Sequence, residues 1–238
     1  MILRRAMGEP TILAMGGFPL VPLVEHAVSL RGPKLLYVGT AGMEAPHSAI
    51  DWYDALHRFA DVTFLRFFPW PPADLRALTL AHDVVFVTGG NTANMLAIWR
   101  VHGFDAVLRE AWENGIVLCG VSAGAICWFE AGVTDSFGPQ LAGMRDGLGF
   151  LPGSACPHYD GEELRRPVYG RLVEEEGFPA GVAIDDGAGA LFRTTELVEV
   201  LACRDGAQAY RVGPDGEVPL PATVLLERSD ASRGCPRA

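Results

Sequence analysis

Short apolar runs alternate along the first half of the chain with stretches whose apolar residues recur at helical spacing. The runs Thr11–Met15, Lys34–Val38, Val62–Phe67, Asp83–Val87 and Ile116–Val121 are nearly uniform in hydrophobicity and read as strands. Between them, Val21–Leu30, His47–Phe59, Ala73–Leu80, Asn94–Val101 and Asp105–Glu113 read as helices; in the second, Ile50, Tyr53, Ala55, Leu56 and Phe59 form the apolar stripe. Strands without polar alternation, separated by helices, predict a mostly parallel sheet covered on both faces. Such sheets bind ligands beyond the carboxyl ends of their strands. Gly16-Gly17, Gly39–Gly42, Gly89-Gly90-Asn91 and Ser122 all fall at those ends.

The second half is less regular. Gly132–Gly153 reads as loop, with glycine, proline and charge interspersed. Glu162–Glu176 reads as a charged helix with Leu164, Val168 and Leu172 on one face. Gly181–Asp185, Gly189–Phe192, Leu197–Ala202 and Gln208–Val212 read as strands, and Asp205-Gly206 and Asp215-Gly216 as hairpin-type turns. These strands are expected to extend the sheet in partly antiparallel fashion. At 238 residues the chain fits one domain, with a core over about 11–212 and a polar, frayed tail at 228–238.

Composition narrows the function. A net charge of −10 argues against a nucleic-acid partner. No apolar run reaches the length of a membrane span, and Met1–Arg5 is too short and too soon interrupted by Gly8-Glu9-Pro10 for a signal peptide. Cys119, Cys127, Cys156, Cys203 and Cys235 are an odd number with no C-x-x-C pair, which fits free thiols in a reducing cytoplasm. No metal-ligand cluster or phosphate-loop signature is present, so no cofactor is expected.

The chemistry centres on Gly120-Val121-Ser122-Ala123-Gly124, a G-x-S-x-G segment between a predicted strand and an apolar, helix-compatible stretch. There the serine sits on a sharp turn with its hydroxyl clear of the backbone. The Ala123 N–H lies at a helix start and, with an N–H from Gly90 or Asn91, could hold an oxyanion. A serine nucleophile needs a base, and the base an orienting acceptor. His158, in a loop, is the only histidine after Ser122 and is the expected base; His47 is a weaker candidate. Asp135, in the loop between Ser122 and His158, is the leading acid, with Glu130, Asp160, Asp185 and Asp186 as competitors.

Together, Gly89-Gly90-Asn91-Thr92, the Ser122 turn, Pro157-His158 and Ile184-Asp185-Asp186-Gly187 resemble the peptidase E and cyanophycinase family of serine peptidases, over about Thr11 to Val212. The resemblance implies a fold like that of the class I glutamine amidotransferases and a Ser–His–acid mechanism on short peptides. Some relatives use glutamate as the acid, which keeps Glu130 open. Family members that cut after an N-terminal aspartate hold its carboxylate with an arginine, and Arg165 and Arg166 are the nearest candidates; Asn91 and Asp186 are further substrate-binding candidates. Gly161–Arg166 and Ala125–Phe129 depart from the sequences of those aspartyl dipeptidases, so a broader dipeptidase or aminopeptidase activity is expected. The alternatives are a cyanophycinase-like hydrolase of β-linked Asp–Arg units, an α/β-hydrolase-type esterase, and a silent binding module. The esterase reading is disfavoured by the early histidine and the lack of an HGGG-type segment. Whether the chain forms a homo-oligomer is left open.

Overall fold

A computed structural model describes residues 8–225. The segment 1–5, the tail at 228–238 and Cys235 lie outside the described residues. The elements run, in chain order, β1 (Thr11–Met15), α1 (Val21–Arg31), β2 (Lys34–Val38), α2 (Pro46–Leu56), β3 (Asp61–Leu65), α3 (Leu75–Leu80), β4 (Val84–Val87), α4 (Thr92–Val101), α5 (Phe104–Glu113), β5 (Val117–Val121) and α6 (Ala123–Ile126). The second half comprises β6 (Phe129–Thr134), β7 (Ala142–Met144), β8 (Leu151–Cys156), α7 (Arg165–Glu175), β9 (Gly181–Ile184), β10 (Ala188–Arg193), β11 (Glu196–Ala202), β12 (Ala209–Gly213), β13 (Gly216–Leu220) and β14 (Thr223–Val224).

The α/β architecture with a mostly parallel sheet is as the pattern predicts, and every strand and helix of the first half falls within a few residues of its predicted position. The main sheet has eight strands in the order β14-β11-β10-β1-β5-β4-β2-β3. The run β1-β5-β4-β2-β3 is parallel, and β10 pairs antiparallel with β1. Its strands are apolar throughout because both faces are covered. Ile12 and Ala14 of β1 pack into one core, with α4, α5 and α6, while Leu13 and Met15 pack into the other, with α1 and α2. The same alternation holds in β4, where Val85 and Val87 face one side and Val84 and Phe86 the other.

The strands of the second half do not simply extend this sheet. β10, β11 and β14 join it, but β12 and β13 belong to a separate six-stranded sheet, β13-β12-β9-β8-β6-β7. This sheet covers the α6 side of the main sheet and buries its other face against α7, through Val133, Cys156, Tyr169, Leu172 and Tyr210. The region expected to be loop therefore contains the second half of β6, all of β7 and the first half of β8. Glycine and proline mask strand character here: Gly132 and Gly143 lie inside strands where a Cβ would press on Ile126 and Phe178.

The chain crosses between the sheets four times, and the first two crossings frame the site. It leaves the main sheet at β5, turns through Ser122 and α6, and enters the second sheet at β6. It returns from β9 through Asp185-Asp186-Gly187 into β10. Two buried groups mark these crossings. Trp128, fully buried after α6, packs against Phe150 with ring centroids 5.9 Å apart, and its Nε1 has no hydrogen-bond partner among the described residues. Asp185 is 2% exposed and accepts the Gln208 N–H on Oδ2 at 3.2 Å, while its Oδ1 has no hydrogen-bond partner among the described residues. Burial, reinforced by the nearby Asp160 carboxylate, pushes the Asp185 carboxyl up to about 6.

Trp128→Ala is expected to cost about 3–5 kcal/mol in urea unfolding, from transfer and cavity terms. Trp128→Phe should cost far less, since it also removes an unsatisfied buried donor. Asp185 has a folded-state pKa above its unfolded value, so its stabilising contribution is full below about pH 4 and is lost as pH rises through about 6. Asp185→Asn keeps an acceptor for Gln208 and should raise stability at pH 8 by on the order of 1–3 kcal/mol relative to its effect at pH 4. Urea unfolding across that range checks this.

Candidate active site

Small residues at the carboxyl end of β1 connect the parts of the site. The Met15 carbonyl accepts the Ser122 N–H at 3.2 Å. The Gly16 N–H donates to the Ala188 carbonyl and the Gly17 carbonyl accepts the Gly187 N–H, both at 3.0 Å. Three successive residues thus hold the serine turn on one side and the start of β10 on the other. Glycine is required at both positions. A Cβ on Gly16 would overlap the Asp185 carbonyl, and one on Gly17 would overlap Asp186 Oδ1 and lie 2.6 Å from His158 Nδ1.

Ser122 has φ 57° and ψ −114°, a backbone conformation that a residue with a Cβ adopts only under constraint. The flanking glycines make the constraint possible. A Cβ on Gly120 would overlap the Gly124 carbonyl, and one on Gly124 would overlap the Val87 carbonyl. The helix that follows, α6, is a single turn rather than a long element, because the chain must reverse at once into β6. Its Ala125 and Ile126 N–H groups bond the Ser122 carbonyl at 2.9 and 3.0 Å. The Ala123 N–H donates to no backbone carbonyl among the described residues.

The Gly89-Gly90-Asn91 loop after β4 lies beside the serine. A Cβ on Gly89 would be 3.1 Å from Ser122 Cβ and 3.6 Å from its Oγ. Gly90, at φ 134°, packs onto the loop after β2, where a Cβ would overlap the Ala41 carbonyl. The Gly90 N–H has no backbone acceptor among the described residues, whereas the Asn91 N–H donates to the Ala41 carbonyl at 2.9 Å. Of the two loop amides considered as oxyanion donors, Gly90 is therefore the free one. The Asn91 side chain is also engaged. Its Oδ1 caps α4 by accepting the Asn94 N–H at 2.8 Å, and its Nδ2 donates to the Ser136 carbonyl at 3.0 Å. Both polar atoms of the Asn91 side chain are thus engaged within the rim.

His158 follows β8 in a second left-handed turn, φ 55°. The Tyr159 N–H fixes that turn on the end of β9, donating to the Ile184 carbonyl at 3.1 Å. The His158 Nδ1–H donates to Asp186 Oδ1 at 2.7 Å, the carboxylate being an acceptor only. The acid on the imidazole is thus Asp186, not Asp135. β8 lies between β6 and β9 and runs parallel to both. Asp135 and Asp186 therefore leave the sheet on the two sides of His158. Asp135 ends up exposed, in a loop whose Ser136 is tied to Asn91, whereas Asp186 bridges back to Gly17.

The other candidate acids have different positions. Glu130 stands at the amino-terminal end of β6 and accepts the Gly153 N–H at 2.8 Å. Asp160 accepts the Asp186 N–H at 2.8 Å, and Asp185 is buried against Gln208. The two arginines considered for substrate binding are both committed elsewhere. Arg165 is 3% exposed and joins α7 to β6, donating from Nη1 to the Val133 carbonyl and from Nε to Glu162, each at 2.7 Å. Arg166 pairs with Glu217 at 3.0 Å and lies over the Tyr159 and Tyr210 rings. The charged, helical setting of Glu162–Glu176 did not reveal that Arg165 is buried.

Three of the cysteines are withdrawn from solvent. Cys119, Cys127 and Cys156 are buried, and burial pushes the Cys156 thiol up to about 12 and raises the other two as well.

The model of peptidase family S51 matches residues 16–200. An uncharacterized peptidase, YgaJ, of Bacillus subtilis strain 168 is 41% identical over 228 residues, covering 90% of this chain and 98% of the relative. Peptidase E of Shewanella denitrificans is 26% identical over 217 residues, covering 84% and 90%. A crystal structure of a peptidase from an acI-B1 actinobacterium superposes with a TM-score of 0.67 at 17% identity, covering 92% of this chain and 96% of that one, and so shares the fold. With a strained serine at the end of β5 held by Met15, a histidine–aspartate pair packed on the adjoining Gly17, and a family match across both, this chain belongs to peptidase family S51 and is a serine peptidase of the peptidase E type.

Proposed function

We propose that this chain is a cytoplasmic exopeptidase, a dipeptidase or aminopeptidase of short peptides, with Ser122 as nucleophile, His158 as general base and Asp186 as the orienting acid. The observation that carries the reading is the Nδ1–Oδ1 bond between His158 and Asp186 at the rim that holds Ser122 in its strained turn. That bond leaves Nε2 of the imidazole as the nitrogen without a proton, the form a general base requires. Ser122 Oγ attacks the scissile carbonyl as its proton passes to His158, and the developing oxyanion accepts from the Gly90 and Ala123 N–H groups. His158 then returns the proton to the departing amine, and water releases the acyl group in the reverse sense.

A strict preference for aspartate at the substrate N-terminus is not supported, because Arg165 and Arg166 already serve protein carboxylates and carbonyls. Broad specificity is the better reading. Digestion of a peptide library, read by mass spectrometry, tests it: removal of one or two residues from short peptides is expected. Activity confined to a β-linked Asp–Arg polymer would replace this reading with a cyanophycinase-like one.

Ser122→Ala should keep the fold and lower turnover by on the order of 10⁴–10⁶-fold, and abolish labelling by a fluorophosphonate. Substantial residual activity would remove Ser122 from the mechanism. The acids separate in the same assay. Asp186→Asn should lower kcat by roughly 10³–10⁴-fold, as loss of the tautomer-fixing carboxylate does in other triads. Asp135→Asn, in an exposed loop, should leave kcat within a few-fold. The opposite ranking would return the role to Asp135.

A further inference from the structure

Asp186 is held by more than its bond to His158. We propose that Asp160 and Arg204 form a clamp on the main chain of Asp186 and act as positioning residues for the catalytic pair. The inference rests on the triad reading above and extends it to residues that touch neither Ser122 nor the imidazole.

The contacts form a closed ring. The Asp186 N–H donates to Asp160 Oδ1 at 2.8 Å. The Asp186 carbonyl accepts from Arg204 Nε at 2.8 Å. Arg204 Nη2 then pairs with Asp160 Oδ2, closing the circuit. Both main-chain polar groups of Asp186 are thereby fixed by side chains, and those side chains are fixed by each other. Asp160 lies two residues after His158, so the turn that presents the imidazole also carries the group that grips its partner.

The surroundings leave the Asp186 carboxylate little freedom. A Cβ on Gly17 would overlap its Oδ1, and one on Gly161 would overlap its Oδ2, so it lies in a slot between two glycines. Gly187, at φ 75°, provides room for the clamp itself: a Cβ there would sit 2.9 Å from Arg204 Cγ. Electrostatics gives Arg204 a second task. Asp160, Asp185 and Asp186 bring three carboxyl groups to one short stretch, and the ion pair of Arg204 with Asp160 offsets their repulsion. Among the described residues, Arg204 is the cation paired with Asp160, and it keeps that carboxylate against the Asp186 N–H.

Small misplacements of a catalytic group lower turnover without weakening substrate binding. Arg204→Met retains much of the side-chain length and removes the donors. It is expected to lower kcat about ten- to a hundredfold with KM within twofold, and to slow fluorophosphonate labelling of Ser122 by a similar factor. Asp160→Asn keeps an acceptor for the Asp186 N–H and should retain more activity than Asp160→Ala. The His158 Nδ1 proton, expected as a downfield resonance in proton NMR of the wild-type chain because of its bond to Asp186, should broaden or vanish in Arg204→Met while near-UV circular dichroism is unchanged.

An unchanged kcat and an unchanged resonance in folded Arg204→Met would overturn the clamp. A raised KM at constant kcat would overturn it too, by making Arg204 a ligand for the substrate carboxylate. Should Arg204→Met fail to fold, the ranking of Asp160→Asn above Asp160→Ala decides, and equal activities of those two would count against the clamp. If the wild-type chain is not labelled at Ser122, the triad reading fails, and the resonance in Arg204→Met against wild type still judges the clamp on its own.

Discussion

Main-chain hydrogen bonds at the carboxyl end of β1 are what the site depends on. Met15 holds the serine turn, Gly16 and Gly17 hold the segment that follows Asp186, and no side chain intervenes. Because the contacts are backbone to backbone, the two halves of the chain approach as closely as two paired strands do. That closeness requires glycine at 16 and 17 and places Asp186 and the His158 ring directly over them. β1 can serve both sides because it lies between β5, parallel to it, and β10, antiparallel to it. The serine comes from the first neighbour and the acid from the chain entering the second.

The strained backbone at Ser122 and His158 follows from the same arrangement. Left-handed conformations at residues with a Cβ cost on the order of 1–3 kcal/mol each and persist only where the surroundings over-determine them. Here the surroundings are two sheets and the buried turn between them. Ser122 is followed by four buried residues, Ala123 to Ile126, and His158 lies between buried Pro157 and Tyr159. The strain turns the serine hydroxyl and the imidazole out of the strand directions that precede them, toward a partly exposed rim.

Much of this was legible from the order of residues alone. The alternation of apolar runs and amphipathic stretches locates every element of the first half, since a parallel sheet covered on both faces imposes one hydrophobic pattern. The serine turn is marked by its glycines and by its place after a strand, and His158 by being the only histidine that follows Ser122. The second sheet was hidden because Gly132, Gly143 and Gly153 interrupt its strands, packing demanding small residues where propensity favours large ones. The acid was ambiguous for a topological reason. Asp135 and Asp186 follow the two strands that flank β8, and chain order cannot say which one turns back toward the imidazole. Arg165 was misread because a basic residue at a charged helix start looks solvated, although here it is buried and bonded to β6.

The most direct test is a high-resolution structure of the chain after reaction with a fluorophosphonate. The expected result is the phosphorus on Ser122 Oγ, one phosphoryl oxygen accepting from the Gly90 and Ala123 N–H groups, and the His158 ring facing the ester with its Nδ1 still on Asp186. An adduct on another residue, or a phosphoryl oxygen turned away from both amides, would contradict it.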